Sequence, residues 1–584
     1  MLPISSESIN VCLLLGIALM SGFQHCDCIP VENAENNNDT DTARPEICIP
    51  QGKVRGVNML THNNRKIFGF MGIPFAKPPI GNLRFKAPLP PDPWDGILDG
   101  GRKYNICPYL DNGVLLGDED CLYLNVFTPK LPVNQNSTLL PVMMYTNGGG
   151  FKTSINDVLK YNPFLLLDKD VILVFPNARC GPLGFLSTGD EISPGNYGIK
   201  DALRALEWIR DNIKYFGGDP NRVTYFGGSS GANSVHYLLL SNSTKGLFHQ
   251  YIVQSPAQSL YYGTVIPRSL SASRANKVGR YVGCPTNSSV ILIECLRNRT
   301  VPELFNASSV ITEWFLFPYI PWSPSIEPNI EGAILIEQPA RLLAAGKFHD
   351  LPSMYTIVPN EGFTLTAGID IRPKMLEEFL EDIDRIFPIV LQVGPLIESM
   401  TAYVNSLKSY YLNDLNADRR VLMDNLTLAI GDVSFTYPAY KILETVATKK
   451  SDCYFASFEY RGVLSHSYYY TGGSLSDWGT VHGDEILYLF ENRDHQFGPP
   501  SYKRSESDWE MANIMVQLWT SFAIDGRPSV KGLNSTVVWE PYSPVSQNYL
   551  QIGNNRSVEM EIKYRIHADR MKFLDELHAA TVWK

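Results

Sequence analysis

Along most of this chain, short apolar runs alternate with amphipathic segments, and that alternation constrains the fold more than any other feature. Residues 140–145 (LPVMMY) and 171–175 (VILVF) read as buried strands, because continuous apolar runs of this length suit a sheet covered on both faces. Residues 201–216 carry Leu203, Leu206, Ile209, Ile213 and Phe216 at steps of three and four, which is one face of a helix, with Gly217-Gly218 as its stop. The chain then passes through Asp219-Pro220-Asn221 into another short strand at 223–226 (VTYF). This is the βαβ pattern of a mostly parallel sheet flanked by helices, so the expected class is α/β. After about residue 46 no repeat or low-complexity linker interrupts it, and residues 47–584 are expected to form a single domain.

The strand at 223–226 runs into Gly227-Gly228-Ser229-Ser230-Gly231, and an apolar helix start follows. A G-x-S-x-G sequence at a strand-to-helix turn forces its serine into a strained conformation and lifts the hydroxyl above the sheet, while the flanking glycines relieve clashes. Average composition gives the same letters by chance about once in three or four chains of this length, so the setting carries more weight than the letters. A serine hydroxyl needs an adjacent base to act as a nucleophile. Of the ten histidines, His482 stands before a glycine at the start of an apolar segment, which suits a loop that presents the ring. Glu361 follows an apolar strand at 354–358, where a carboxylate can orient a histidine. The order Ser, Glu, His is that of α/β-hydrolases. Gly148-Gly149-Gly150 follows the strand at 140–145 and suits a loop whose N–H groups face an oxyanion, with the Ser230 N–H as a further donor.

Other stretches carry a family resemblance. Residues 72–79 (GIPFAKPP), 83–85 (LRF), 119–126 (EDCLYLNV), 181–185 (GPLGF) and 216–220 (FGGDP) make the chain similar to type-B carboxylesterases and cholinesterase-like proteins, insect carboxylesterases and juvenile hormone esterases among them. The resemblance runs from about residue 47 to the C-terminus. It implies an α/β-hydrolase fold, with Ser229 as nucleophile, Glu361 as acid and His482 as base, and Gly149, Gly150 and Ser230 as oxyanion donors. It also implies an acyl-side wall from Phe315 and Phe317. The chain departs from the family in three places. Gly228 stands where relatives carry glutamate and Ser230 where they carry alanine. Asn147 precedes the glycines in place of histidine, and residues 177–181 read NARCG in place of NYRLG. Gly228 removes a charge beside the bound ester. The stretch between Cys107 and Cys121 holds no tryptophan, unlike the choline-binding loop of cholinesterases. The expected substrate is therefore a small neutral carboxylic ester, hydrolysed without metal or cofactor. The alternative is a non-catalytic adhesion or binding protein of the same fold.

The formal net charge of -10 and the lack of a basic stripe speak against nucleic acid as a partner. Residues 11–20 (VCLLLGIALM) resemble the apolar region of a signal peptide, so residues 1–25 are expected to be removed and 26–46 to be a flexible acidic, Asn-rich leader. The C-terminus is too polar for a membrane anchor. N-x-S/T sequons begin at Asn38, Asn136, Asn242, Asn287, Asn298, Asn306, Asn425, Asn534 and Asn555, which fits a glycosylated, secreted protein. The ten cysteines show no zinc-knuckle spacing. Cys107 with Cys121 and Cys284 with Cys295 would each close a short loop, the pairings the resemblance also implies.

Overall fold

The computed structural model describes residues 44–102, 104–111, 113–153, 162–256, 265–393, 397–491, 496–533 and 536–581. The expected signal peptide, most of the leader and the sequons at Asn38 and Asn534 lie outside them. An eleven-stranded sheet organises the molecule. Its strands are β1 (Val57–Leu60), β2 (Lys66–Pro74), β3 (Tyr123–Thr128), β4 (Leu140–Thr146), β5 (Ile172–Pro176), β6 (Gly218–Gly228), β7 (Gln250–Gln254), β8 (Ser353–Ile357), β9 (Cys453–Tyr460), β10 (Asn548–Asn555) and β11 (Ser557–Tyr564). In space they run β1-β2-β3-β5-β4-β6-β7-β8-β9-β10-β11. Neighbours from β5 through β10 are parallel, and the pairs at both edges are antiparallel. This is the α/β-hydrolase arrangement expected from the sequence.

The two-residue period of a strand divides the apolar runs between the sheet's faces. Val142, Met144, Ile172, Val174, Tyr225, Tyr251 and Tyr355 pack into one core. Met143, Tyr145, Leu173, Phe175, Phe226, Ile252 and Met354 pack into another. Helix α1 (Tyr197–Asn212) covers the first face with Ala205, Leu206, Trp208 and Ile209. A later helix, Glu506–Asp525, covers the second with Met511, Met515, Leu518, Trp519 and Phe522. Each large side chain buried this way contributes about 1.5–3 kcal/mol. A third core joins the helical segment between β8 and β9 to the C-terminal helix Ala568–Thr581.

Helix α1 starts a turn earlier than the apolar period indicates. Asn196, at φ 58, turns the chain into the helix, and the first turn buries Lys200 and Asp201 alongside Tyr197 and Ile199, so charged residues interrupt the apolar period there. Both charges are paired. Lys200 Nζ contacts Glu327 Oε2, and Asp201 accepts from the Arg179 guanidinium at 2.7 and 2.9 Å and from the Arg179 backbone N–H at 2.9 Å. The helix ends in a 3-10 turn, Ile213–Phe216, closed by Gly217 at φ 86. Strand β6 begins at Gly218, ahead of the 223–226 core, and its register against β4 shifts between Gly218 and Val223, at the Asp219-Pro220-Asn221 kink.

Cys107 is bonded to Cys121 and Cys284 to Cys295, Cys48 is also in a disulfide, and Cys180 and Cys453 are buried thiols. The sequon asparagines 136, 242, 287, 298, 306 and 555 are exposed and Asn425 is half-buried. Among the described residues no helix is long and apolar enough to cross a membrane.

Removing one member of a buried, hydrogen-bonded ion pair strands the other charge. Asp201→Ala should therefore destabilise the protein by about 3–5 kcal/mol. Denaturant melts of the two proteins check this, and a loss under about 1 kcal/mol would show that Arg179 finds another partner.

Candidate active site

Ser229 sits between β6 and helix α2 (Ser230–Leu239) at φ 56, ψ -125, in the left-handed half of conformational space. A non-glycine residue held there costs about 1–3 kcal/mol, so the surroundings must fix it. They do so by close backbone approach. A Cβ on Gly231 would lie 2.1 Å from the Thr146 carbonyl oxygen, and one on Gly227 would lie 2.7 Å from it. The Ser229 N–H donates to the Gln254 carbonyl oxygen at 2.9 Å, tying the turn to the end of β7. Gly228 is different, since no backbone atom stands where its Cβ would be. A Cβ there would meet the Ile486 side chain at 3.2 Å, and that side chain can move.

Glu361 and His482, far apart in sequence, are directly bonded. His482 Nδ1 and Glu361 Oε2 are 2.5 Å apart, and both residues are buried. Glu361 Oε1 also accepts from the Val358 N–H at 2.9 Å. Gly362 lets the Glu361 loop lie against the helix Arg419–Gly431, since a Cβ there would come 2.0 Å from the Thr427 carbonyl oxygen. The His482 turn is held from several sides. Asp484 accepts from the N–H groups of Val481 at 3.0 Å and His466 at 2.7 Å. The Tyr470 hydroxyl donates to the His482 carbonyl at 3.0 Å, and the Phe435 ring lies 4.8 Å from the imidazole. With Nδ1–H directed at Glu361, the neutral ring carries its lone pair on Nε2. Ile486, one turn beyond His482, packs on Gly228 and joins this turn to the serine turn.

Sequence reasoning missed a second carboxyl. Glu485 is buried, and its Oε1 accepts from the Ser255 hydroxyl at 3.3 Å. Ser255 directly follows Gln254, the acceptor of the Ser229 N–H. Burial and the neighbouring Glu361 charge push the Glu485 carboxyl up to about 8, so it is protonated near neutral pH. For His482, burial of the ring lowers its pKa, but the Glu361 charge and hydrogen bond outweigh this and hold it above the usual value. The sequence clue is an acidic residue three places after the histidine, opening a run of apolar ones.

The glycine loop approaches the serine closely, and a Cβ on Gly148 would lie 2.9 Å from Ser229 Cβ. Gly149 at φ 117 and Gly150 at φ 62 adopt backbone that other residues avoid. The Ser230 N–H opens helix α2, where N–H groups lack helical acceptors. The two candidate wall residues differ. Phe317 is buried, with its ring 5.6 Å from Trp314 and 6.5 Å from Tyr319. Phe315 is 42% exposed, and the Arg372 guanidinium lies 4.6 Å over its ring. Residues 177–181 do structural work, since Asn177 Nδ2 donates to the Asn105 and Cys121 carbonyls at 3.0 Å each.

A general base must be unprotonated, so a raised His482 pKa places the acidic limb of the kcat/KM profile above the ordinary histidine range. Glu361→Gln should lower kcat by about 10³–10⁴-fold and move that limb to lower pH. An unmoved limb would mean that Glu361 does not set the histidine's pKa. Glu485 binds its proton more tightly folded than unfolded, so its contribution to stability falls as pH rises from the usual carboxyl range to about 8. Glu485→Gln should therefore raise Tm more at pH 8 than at pH 5, and equal shifts would contradict a buried protonated carboxyl.

Residues 43–573 match the carboxylesterase family. Esterase FE4 of Myzus persicae is 34% identical over 509 residues, covering 85% of this chain and 87% of that protein. Juvenile hormone esterase of Tribolium castaneum is 33% identical, covering 83% and 84%. Pyrethroid hydrolase Ces2a of Mus musculus is 30% identical, covering 90% of each. A family match over nearly the whole chain, relatives at this identity and the sheet described above agree, and the chain belongs to the carboxylesterase family as a carboxylic ester hydrolase.

Proposed function

We propose that the protein is a secreted esterase that hydrolyses neutral carboxylic esters through an acyl-enzyme on Ser229. The observation that carries this reading is the buried Glu361–His482 hydrogen bond, on a turn whose Ile486 lies against Gly228, the residue before Ser229. Ser229 Oγ attacks the ester carbonyl while His482 Nε2 takes its proton. The N–H groups of Gly149, Gly150 and Ser230 receive the charge that develops on the carbonyl oxygen. His482 then returns the proton to the departing alcohol, and water repeats the sequence on the acyl-enzyme to release the acid. Glu361 holds the ring in the productive tautomer and stabilises the imidazolium. The stretch from Phe317 to Ile320 forms the acyl-side wall. Exposed sequons and short-loop disulfides support the secreted assignment.

Selectivity for uncharged esters over choline esters follows from Gly228. No carboxylate stands one residue before the nucleophile, and Ile486 packs against the space instead. A cationic alcohol group thus loses its water without gaining a counter-charge.

The unmodified protein should favour 3,3-dimethylbutyl butyrate over butyrylcholine by about tenfold or more in kcat/KM. Turnover should vanish in Ser229→Ala. Gly228→Glu should narrow the preference and raise the acidic limb, since an added negative charge stabilises the imidazolium. A preference for butyrylcholine would overturn the assignment to neutral esters, and activity surviving in Ser229→Ala would overturn the acyl-enzyme.

A further inference from the structure

Lys152 stands two residues beyond Gly150, on the loop that faces the nucleophile. Its side chain folds back along that loop. A Cβ on Gly150 would lie 3.4 Å from Lys152 Cε, 3.4 Å from Tyr319 Cε1 and 3.6 Å from Ile320 Cγ1. The ammonium rests 3.4 Å from the centroid of the Tyr319 ring. Lysine, loop and wall therefore meet at one of the candidate oxyanion donors. Tyr319 also packs near Phe317, so the cation is seated on the same aromatic stretch that walls the site.

Other charges on this stretch are placed differently. Arg372 covers Phe315, and Glu378 accepts from the Trp314 indole N–H at 3.2 Å. The Ile320 N–H is taken by the Gln392 side chain at 3.1 Å. Arg372 and Lys152 thus place two cations over aromatic rings of one segment, and Lys152 is the one that touches the glycine loop.

We propose that Lys152 is a specificity-determining residue whose ammonium selects esters carrying a carboxylate on the acyl group, a few bonds from the scissile carbonyl. The chemical class is the half-ester of a short dicarboxylic acid. This rests on the acyl-enzyme reading above and revises it on the acyl side alone: uncharged alcohol groups stay preferred over cationic ones, and acyl groups that carry a carboxylate exceed uncharged ones. Lys152 is half-buried, and an ammonium partly shielded from water attracts an anion more strongly than an exposed one does, while the Tyr319 ring holds it at the glycine loop.

The test compares mono-4-nitrophenyl glutarate with its uncharged counterpart, methyl 4-nitrophenyl glutarate. The leaving group is the same, so once the uncatalysed release is subtracted, which the free carboxylate of the half-ester speeds by attacking its own ester, the ratio of their kcat/KM values reads the acyl charge. The unmodified full chain should favour the anionic ester by about tenfold at low ionic strength, and added salt should shrink that ratio. Lys152→Met should erase the preference, and Lys152→Arg should keep it within about threefold. A merely structural lysine would change both rates together and leave the ratio intact. The inference fails if the neutral diester is preferred, if the ratio ignores salt, or if Lys152→Met keeps the preference. If neither ester is hydrolysed, the underlying esterase reading fails with it. If Lys152→Met does not fold, Arg372→Met decides the matter: the preference and its salt dependence should survive there, and their loss would assign them to Arg372 and overturn the inference.

Discussion

Backbone crowding around Ser229 governs the rest of the site. A serine at φ 56 is costly, and the conformation persists because β4, β6 and β7 grip the turn on all sides. Strand β4 supplies the Thr146 carbonyl, which comes too close to Gly227 and Gly231 to admit side chains there. Strand β7 supplies the Gln254 carbonyl that accepts the serine's N–H. The same crowding brings Gly148 to the serine Cβ and so delivers the N–H groups of the following loop. The strained turn thereby sets the positions of both the candidate nucleophile and the candidate oxyanion donors.

Electrostatics completes the arrangement. His482 and Glu361 are both buried, and their mutual hydrogen bond offsets much of the cost of removing them from water. Glu485 lies in the same dry volume and avoids a second unpaired charge by holding its proton. The Glu361 charge is thus left to act on the histidine. Gly228 places no carboxylate beside Ser229, and Lys152 sets an ammonium on the Tyr319 ring at the glycine loop.

Much of this was legible in the sequence because it depends on local rules. The strands at 140–145 and 171–175, the stop at Gly217 and the strand–turn–helix setting of Ser229 follow from apolar period and glycine placement, and the structure puts each within a residue or two. The first turn of α1 was hidden because it buries Lys200 and Asp201, whose partners Glu327 and Arg179 are distant in sequence or lie outside the helix. Glu485 and Lys152 were hidden for the same reason. A charged residue looks solvated until the fold shows what surrounds it. Phe315 and Phe317 looked alike, yet a left-handed turn at φ 48 separates the exposed ring from the buried one.

The central claim is that Ser229 is the activated nucleophile. Incubation of the folded protein with a diethyl organophosphate, followed by intact-mass and peptide mapping, tests it most directly. The account predicts one phosphoryl adduct on the peptide containing Ser229, formed in step with loss of esterase activity and blocked in Ser229→Ala. Loss of activity with Ser229 unlabelled, or labelling that persists unchanged in His482→Ala, would contradict it.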